Sequence, residues 1–190
     1  MARWEPGAKV RLVDAAVDLF LEQGYENTSV AEIAERAGLA KSSFFRHFPD
    51  KREVLLAGQD MLSQLLADGI AAAPPEATPM EAVAAGVAAC AEVFVSERRA
   101  FAVKLRSVVA GNPELQEREA LKRARFTEAM TNALRQRGVD APLATVAAEL
   151  GALAFRLSWE RWTDAPDDQS FEQIARATVA ELQAASVSLR

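Results

Sequence analysis

Apolar residues recur along most of the chain at steps of three and four, which is the period of an amphipathic helix. In the segment VRLVDAAVDLF this spacing puts Val10, Val13, Val17 and Phe20 on one face, and Gly24 follows as a cap. No segment shows the strict alternation of apolar and polar residues that a half-buried strand would have. The pattern predicts an all-α fold of about nine helices.

Start and stop signals divide this pattern into separate helices. The capping box Ser29–Glu32 opens the second helix, and Gly38 permits a sharp turn into a third, short helix. A long fourth helix is predicted over residues 50–72, where Asp50 and Glu53 provide a further start signal. The second and third helices are therefore short and separated by a glycine turn.

The same signals place the remaining helices. Thr78–Glu81 combines a cap, a proline at the first helical position and a glutamate at the third, and it opens a fifth helix that runs to about Val95. A shorter sixth helix ends at Gly111. The predicted starts of the last three helices are Asn112, Pro142 and Asp168.

Composition is typical of a soluble globular protein, since half of the residues are hydrophobic and 26% are charged. The longest apolar run, residues 82–91, is too short to span a bilayer, and the amino-terminal segment MARWEPGAKVR has no apolar signal core. We therefore expect a cytoplasmic protein with no membrane partner. Cys90, the single cysteine, is expected in the core, with a redox sensor as the alternative.

The net charge of −5 argues against general nucleic-acid binding if only the total is considered. The distribution is uneven, however, because residues 36–52 contain five Lys or Arg and one acidic residue. Positive charge is therefore concentrated around the third helix.

Two short helices around a glycine turn, packed by a preceding amphipathic helix, are typical of a helix-turn-helix, whose second helix enters the DNA major groove. Polar side chains at the start of that helix can reach bases or phosphates, and cations at its end add phosphate donors. The alternative is a solvated polar face over a core of Phe44, Phe45 and Phe48. The polar residues concerned are Lys41, Ser42, Ser43, Arg46, His47, Lys51 and Arg52.

The segment TSVAEIAERAGLAKSSFFRHFPDKREVL, residues 28–55, resembles the DNA-binding region of TetR-family transcriptional regulators. The residues that carry the resemblance are Ile33-Ala34, Ala37-Gly38, Ser43, His47-Phe48 and Lys51. The resemblance implies a DNA-binding helix-turn-helix domain over residues 1–50 and an effector-binding and dimerisation domain over residues 51–190. It also implies a homodimer that binds double-stranded DNA at a palindromic operator.

The resemblance implies a specific set of DNA contacts. Lys41, Ser42 and Ser43 are expected to face the bases, and His47 and Lys51 are expected to contact phosphates. Phe45 stands where the family often has Tyr, so it lacks the phenolic hydroxyl and keeps only an apolar contact. The complete expected set is Ser29, Lys41, Ser42, Ser43, Phe45, His47 and Lys51.

In the larger domain the middle helices are expected to enclose an effector pocket, although large apolar residues at helical spacing are often plain core. The candidates for the pocket are Phe94, Phe101, Leu105, Phe126, Met130, Phe155 and Trp159. Residues 103–134 and 153–162 also resemble regulators similar to the mycofactocin regulator. This resemblance implies an acyl-CoA or another lipophilic effector.

The last two helices are expected to form the dimer interface, since the resemblance implies pairing through them. Each carries an apolar stripe, and the alternative is that these stripes face the chain's own core. The stripes consist of Val146, Leu150, Leu153 and Leu157 in the eighth helix and Phe171, Ile174, Thr178 and Leu182 in the ninth.

The charge and the helix-turn-helix pattern favour a DNA-binding transcriptional regulator, and the resemblance implies a repressor that a small lipophilic ligand releases from its operator. The alternatives are an activator of the same fold and a helical dimeric interaction protein that does not bind DNA. An enzyme is not expected, because one His, one Cys and no metal-ligand spacing provide neither a nucleophile with its base nor a metal site. No cofactor is expected either.

Overall fold

The computed structural model describes residues 7–166 and 169–188. These residues form nine α-helices and no strand, which confirms the all-α prediction. The helices are α1 (Ala8–Gln23), α2 (Val30–Arg36), α3 (Lys41–His47), α4 (Gln59–Ala72), α5 (Pro79–Ala89), α6 (Arg99–Ala110), α7 (Pro113–Gln136), α8 (Ala141–Asp164) and α9 (Phe171–Val187). Short 3-10 helices cover Arg52–Leu56, Cys90–Glu92 and Ser96–Arg98.

The predicted helix starts are confirmed at α2 and α5. The hydroxyl of Ser29 accepts from the backbone N–H of Glu32, whose carboxylate accepts in turn from the N–H of Ser29. Thr78 and Glu81 form the same reciprocal pair before α5. The predicted start of the ninth helix, Asp168, lies outside the described residues, and α9 itself follows a capping box opened by Ser170.

The long fourth helix is wrong in its first part. The Asp50 carboxylate accepts from the backbone N–H groups of Arg52 and Glu53, as the start signal predicted, but the turn that follows is a 3-10 helix. Gly58 then adopts a left-handed conformation with φ of 85°, and α4 begins only at Gln59. A residue with a side chain is disfavoured in this conformation. Gly58 therefore indicated a break in the helix, although the apolar period continues through it.

The fifth helix ends earlier than predicted, at Ala89 instead of about Val95. After it, Phe94 packs on Phe171 with ring centroids 4.5 Å apart. We attribute the break to this aromatic packing. It could not be predicted from the local sequence, because Phe171 is far from Phe94 along the chain. In α1 the predicted apolar stripe is also corrected, because Val10 is exposed and Leu12 is fully buried in its place.

The chain divides into two compact units. The first unit comprises residues 7–57 together with residues 101–120, which return from the middle of the chain. Its core includes Leu12, Phe20, Ile33, Phe44 and Leu115. The predicted boundary at residue 50 therefore falls within this unit. The functional division at that residue stays a prediction.

The second unit comprises residues 58–100 and 121–188 within the described part of the chain. In it α4 packs along α5, and α5 also packs against α8 and α9. Two glycines set the distance between α4 and α5, because a Cβ on Gly86 would lie 2.6 Å from the carbonyl oxygen of Leu66 and one on Gly69 would lie 2.7 Å from the Cα of Gly86. The two backbones are therefore in direct contact.

Aromatic side chains form much of the interior of the second unit. Phe94 contacts Phe155, Trp162 and Phe171, and Phe155 also packs edge-on against Phe126 at 5.1 Å between ring centroids. We call these five rings the aromatic cluster. Such packing adds to the stabilisation that burial of the rings provides.

No single helix among the described residues is long and apolar enough to cross a membrane. Two consecutive segments, Pro79–Glu92 and Ser96–Ala110, would be long and apolar enough only if they were counted as one, and they are bent relative to each other.

Candidate nucleic-acid interface

The exposed face of α3 is formed by residues near its amino end and one turn later. Lys41 and Ser42 are exposed, and Phe45 is 49% exposed although it is aromatic. Because residues three and four apart lie on the same side of a helix, Phe45 shares a face with both. Arg46 is also exposed and lies one turn after Ser42. We call Lys41, Ser42, Phe45 and Arg46 the α3 face.

The opposite side of α3 is anchored in the core of the first unit. Phe44 is fully buried, and its ring packs on Phe48 at 5.5 Å between centroids. Ser43 is only 8% exposed, and its hydroxyl accepts a 2.7 Å hydrogen bond from Nη2 of Arg46. The structure therefore corrects the placement of Ser43 on the base-facing side, since Phe44 and Phe48 set the rotation of the helix.

The turn between α2 and α3 is fixed by backbone hydrogen bonds. The N–H of Gly38 donates to the carbonyl of Glu35, and the N–H of Leu39 donates to the carbonyl of Ala34 at 2.8 Å. Gly38 has a positive φ of 68°, which closes the helix end in this way. Leu39 packs against the core, so the turn holds α3 at a defined angle to α2.

Ser29 is exposed, but its hydroxyl and its N–H are both used by the capping box with Glu32. These hydrogen bonds lower the pKa of the Glu32 carboxyl below its usual value. Ser29 therefore fixes the start of α2, and its predicted contact with DNA stays a prediction.

Lys51 is directed into the protein. Its ammonium group donates to the carbonyl of Tyr25 at 2.6 Å and to the carbonyl of Thr28 at 3.0 Å. It also lies 4.0 Å from the centroid of the Tyr25 ring, a cation–π contact. The structure thus gives Lys51 internal partners, which the prediction of a phosphate contact did not include.

Other cations near α3 are paired within the first unit. Both terminal nitrogens of Arg36 donate to the carboxylate of Glu22, and this contact lowers the pKa of Glu22. Arg52 pairs with Asp50 at 2.7 Å, and the hydrogen bond from Arg52 lowers the pKa of Asp50. The local positive charge seen in the sequence is therefore displayed on α3 chiefly by Lys41 and Arg46.

His47 is half-buried and lies beside Phe48, with 6.4 Å between ring centroids. Its position at the end of α3 leaves part of the ring accessible. Arg46, by contrast, was expected as a phosphate donor from its position but was absent from the contact set that the resemblance implies, and it lies on the exposed side. Its spacing of four residues from Ser42 is the signal that places it there.

This helix-turn-helix coincides with a known sequence family. The family model described as "Bacterial regulatory proteins, tetR family" matches residues 12–57. This range includes most of α1, all of α2 and α3, and the 3-10 helix that follows. The match covers the helix-turn-helix and does not extend over the rest of the chain. Among curated relatives, the HTH-type transcriptional regulator TcmR of Streptomyces glaucescens is 36% identical over 73 residues, 38% of this chain and 32% of that protein. The chain thus spans about a third of the length of that curated relative.

Solved structures extend the likeness in fold beyond the matched region. A putative transcriptional regulator from Pseudomonas aeruginosa PAO1 has a TM-score of 0.63 at 20% identity and covers 96% of this chain and 94% of that one. The regulator FadR from Bacillus subtilis, in complex with stearoyl-CoA, has a TM-score of 0.60 at 17% identity and covers 91% of this chain and 96% of that one. At these identities the likeness shows the fold.

The expected effector residues are divided between the two units. Phe101 and Leu105 pack against the core of the first unit, which corrects their assignment to the effector domain. In the second unit, Phe126, Met130 and Phe155 are buried. Phe94 and Trp159 are half-buried there. Sequence reasoning missed Trp162 and placed Phe171 in the dimer interface, yet both belong to the aromatic cluster.

Met130 fills space between helices. A Cβ on Gly151 would come within 2.8 Å of its Sδ atom and equally close to Cγ1 of Val83. This contact joins α7, α8 and α5 at one point, so Met130 is part of the packed interior of the second unit.

The expected dimer stripe on α8 is accessible. Val146 is 57% exposed, and Leu150, Leu153 and Leu157 are half-buried. Leu143, one turn before Val146, is also exposed. The α8 stripe therefore continues over about four turns of helix on the surface of the second unit.

The expected stripe on α9 largely faces the interior, which corrects the sequence prediction. Phe171 and Thr178 are fully or almost fully buried, and Ile174 is buried as well. The hydroxyl of Thr178 accepts a 3.0 Å hydrogen bond from Arg161. Of the four residues of this stripe, only Leu182 is half-buried. The apolar period of α9 thus marks its packing against α5 and α8.

A surface groove of about 590 Å³ lies where the end of α8 meets the start of α9. None of the expected effector residues lines it. Its walls mix apolar and charged side chains, namely Leu157, Glu160, Arg161, Asp164, Ala165, Gln169, Ile174 and Ala177. The groove does not coincide with the aromatic cluster.

Proposed function

We propose that this chain is a transcriptional regulator that binds a specific DNA sequence through α3 and acts as a repressor. The observation that carries the proposal is the α3 face, which exposes a lysine, a serine, an aromatic ring and an arginine on a helix anchored by buried Phe44. Lysine and arginine can contact phosphates or guanine, and an exposed ring can meet a thymine methyl. The match of residues 12–57 to the TetR family model and the name of the relative TcmR support the same proposal.

Selection of bound fragments from random DNA tests this proposal. We expect a near-palindromic motif, because two copies of α3 related by a two-fold axis read two related half-sites. Binding is expected to weaken as salt rises, with a slope of log K against log salt concentration close to −0.9 for each phosphate neutralised.

Charge-removing variants make the test specific to α3. Lys41→Gln and Arg46→Gln are each expected to weaken binding, whereas Arg135→Gln, an exposed arginine in the last turn of α7, is expected to leave it unchanged. Recovery of no motif at moderate salt would contradict the proposal and would favour the helical interaction protein. An equal effect of all three substitutions would point to binding by total charge alone.

We further propose that DNA binding is released by a lipophilic or acyl-type effector held in the second unit. Support comes from the apolar character of the aromatic cluster and from the likeness in fold to FadR in complex with stearoyl-CoA. A ligand that binds better to the conformation with misplaced α3 helices lowers DNA affinity by the difference between its two binding free energies.

Mass spectrometry of the purified protein under native conditions tests the effector. We expect a copurifying acyl compound, and addition of stearoyl-CoA is expected to release DNA, with coenzyme A alone as the control. A protein that is consistently free of ligand and insensitive to stearoyl-CoA would contradict the proposal. A reporter gene behind the selected motif separates repression from activation, since deletion of the regulator raises expression only in the first case.

The regulator is proposed to act as a homodimer that pairs through the α8 stripe. The stripe offers exposed apolar residues at Val146, Leu150, Leu153 and Leu157. Contiguous apolar surface of this kind is typical of a protein interface. α9 is proposed to contribute its outer side, where Ala177, Ala180 and Ala184 permit a close approach.

A further inference from the structure

Lys51 occupies a special place relative to the helix-turn-helix. It follows the end of α3 by four residues, and its ammonium group reaches back to Thr28, which immediately precedes the Ser29 cap of α2. The contact spans 23 residues and encloses both helices and the turn between them. The two ends of the motif are thereby held together by one side chain.

The two carbonyl groups that accept from Lys51 belong to a turn that is held by its own hydrogen bonds. The backbone N–H of Thr28 donates to the carbonyl of Tyr25, and the hydroxyl of Thr28 donates to the carbonyl of Gly24 at 2.8 Å. Thr28 and Tyr25 are both buried. The Tyr25 ring packs edge-on against Phe20 of α1. The turn is thus anchored in the core before Lys51 binds to it.

The ammonium group has few donors left for a phosphate. A lysine carries three N–H groups, and two of them are used by the carbonyls of Tyr25 and Thr28. The ring of Tyr25 covers the charge from another side at 4.0 Å. To reach a phosphate with its full donor set, Lys51 would have to give up both hydrogen bonds, which is costly. The carbonyl of Tyr25 would then keep only the hydrogen bond from the N–H of Thr28.

We propose that Lys51 is a positioning residue that closes the helix-turn-helix and does not act as a phosphate ligand. It fixes the turn before α2 relative to the end of α3, so that the α3 face is presented at one angle. This inference rests on the proposed DNA-binding function, because its consequence is measured as operator affinity. A closed motif loses less conformational freedom when it binds DNA, and this raises affinity without any new contact.

Amine labelling of the unmodified protein is the first test. With an acetylating reagent and mass spectrometry, we expect Lys51 to react slowly both in the free protein and in the operator complex. Lys41, which is exposed, is expected to react rapidly when free and slowly in the complex. Rapid reaction of Lys51 in the free protein, with or without protection by DNA, would overturn the proposal.

Salt dependence with Lys51→Met and Lys41→Met is the second test. If Lys51 acts by positioning, Lys51→Met weakens operator binding roughly tenfold and leaves the salt slope unchanged. Lys41→Met, the matched control, reduces the magnitude of the slope by about 0.9. A similar reduction for Lys51→Met would identify a phosphate contact and overturn the proposal. Unchanged affinity would overturn it as well.

Hydrogen exchange provides a readout that does not depend on DNA. Lys51→Met is expected to accelerate amide exchange in the turn and first residues of α2, whereas Lys41→Met is expected to leave them unchanged. If the chain binds no DNA at all, the proposed function fails, yet the labelling and exchange of the free protein still decide whether Lys51 closes the motif. If Lys51→Met does not fold, labelling of the unmodified protein gives the same decision.

Discussion

Phe45 combines a large aromatic ring with high exposure, and its neighbours on the α3 face are polar. Its ring contacts Phe44 edge-on at 5.6 Å, but the outer part of the ring is open to solvent. An exposed ring of this kind contributes little to folding. Its position on the proposed reading helix makes it informative about DNA binding.

Substitution of Phe45 separates apolar contact from hydrogen bonding. Phe45→Ala is expected to weaken operator binding roughly tenfold, because the contact with a thymine methyl or sugar is lost. Phe45→Tyr is expected to bind at least as tightly, since the added hydroxyl can donate to a phosphate. Fluorescence anisotropy with labelled operator measures both effects. Thermal denaturation is the control and should change little for either variant, whereas unchanged affinity of Phe45→Ala would remove the ring from the interface.

Cys90 is buried, and its thiol lies 3.8 Å from the carbonyl oxygen of Gly86, which accepts from it. Burial raises the pKa of the thiol to about 12, so little reactive thiolate exists near neutral pH. We expect a disulfide reagent to label Cys90 only after the protein unfolds. Absorbance of the released thiolate measures the rate, with the protein in denaturant as the control. Rapid labelling of the native protein would favour the redox-sensor alternative.

Single-residue roles were predictable where they depend on local spacing. Ser29 and Glu32 stand three residues apart, and their reciprocal capping follows from that spacing alone. The burial of Ser43 was not predictable, because Phe44 and Phe48 together set the rotation of a helix of only two turns. The contact of Lys51 with Thr28 joins residues far apart in sequence, so no local pattern contains it.

At the scale of helices, the close crossing of α4 and α5 is a specific consequence of Gly69 and Gly86. Glycine usually weakens a helix interior, so two of them at a crossing indicate that space matters more than helix propensity there. The short distances from their hypothetical Cβ atoms to neighbouring backbone atoms agree with this explanation.

Gly86→Ala is therefore expected to destabilise the second unit by about 2 kcal/mol, because the added methyl would force α4 and α5 apart. Gly111→Ala is the matched control, since a Cβ there would lie 3.6 Å from the carbonyl oxygen of Ser107, an ordinary contact. Urea denaturation followed by circular dichroism compares the two variants. Equal stability of both would show that the crossing can relax without cost.

Helix starts were predicted well and helix ends less well. A start depends on a cap and a few following residues, as at Thr78 and Ser29, and this information is local. The end of α5 at Ala89 is associated with the packing of Phe94 in the aromatic cluster, which only the folded chain contains. The left-handed Gly58 was visible in sequence, but the continuous apolar period around it favoured one helix over two.

For the whole molecule, the proposed dimer depends on the α8 stripe. Val146→Glu is expected to shift the protein from dimer to monomer, because a charge would be buried in an apolar interface. Val10→Glu is the control, since Val10 is similarly exposed but lies on α1 in the first unit. Sedimentation velocity distinguishes the two states. A Val146→Glu protein that remains dimeric would place the interface elsewhere.

The stripes of α8 and α9 show how far whole-molecule features follow from sequence. Both helices have an apolar face, yet α8 leaves Val146 and its neighbours accessible while α9 turns Phe171 and Thr178 inward. Periodicity identifies which side of a helix is apolar and does not identify what covers it. The arrangement of neighbouring helices supplies that information, and it arises only when the chain folds.

The discontinuity of the first unit has a consequence for the gene that encodes it. Val108 and Leu115 are core residues of a unit whose other core residues all precede residue 58. A single recombination crossover after α3 would therefore separate the two parts of this core and combine each part with residues from a different protein. Inheritance of a new DNA specificity by such an exchange is expected to be rare, and specificity in this lineage is expected to change through point substitutions on the α3 face.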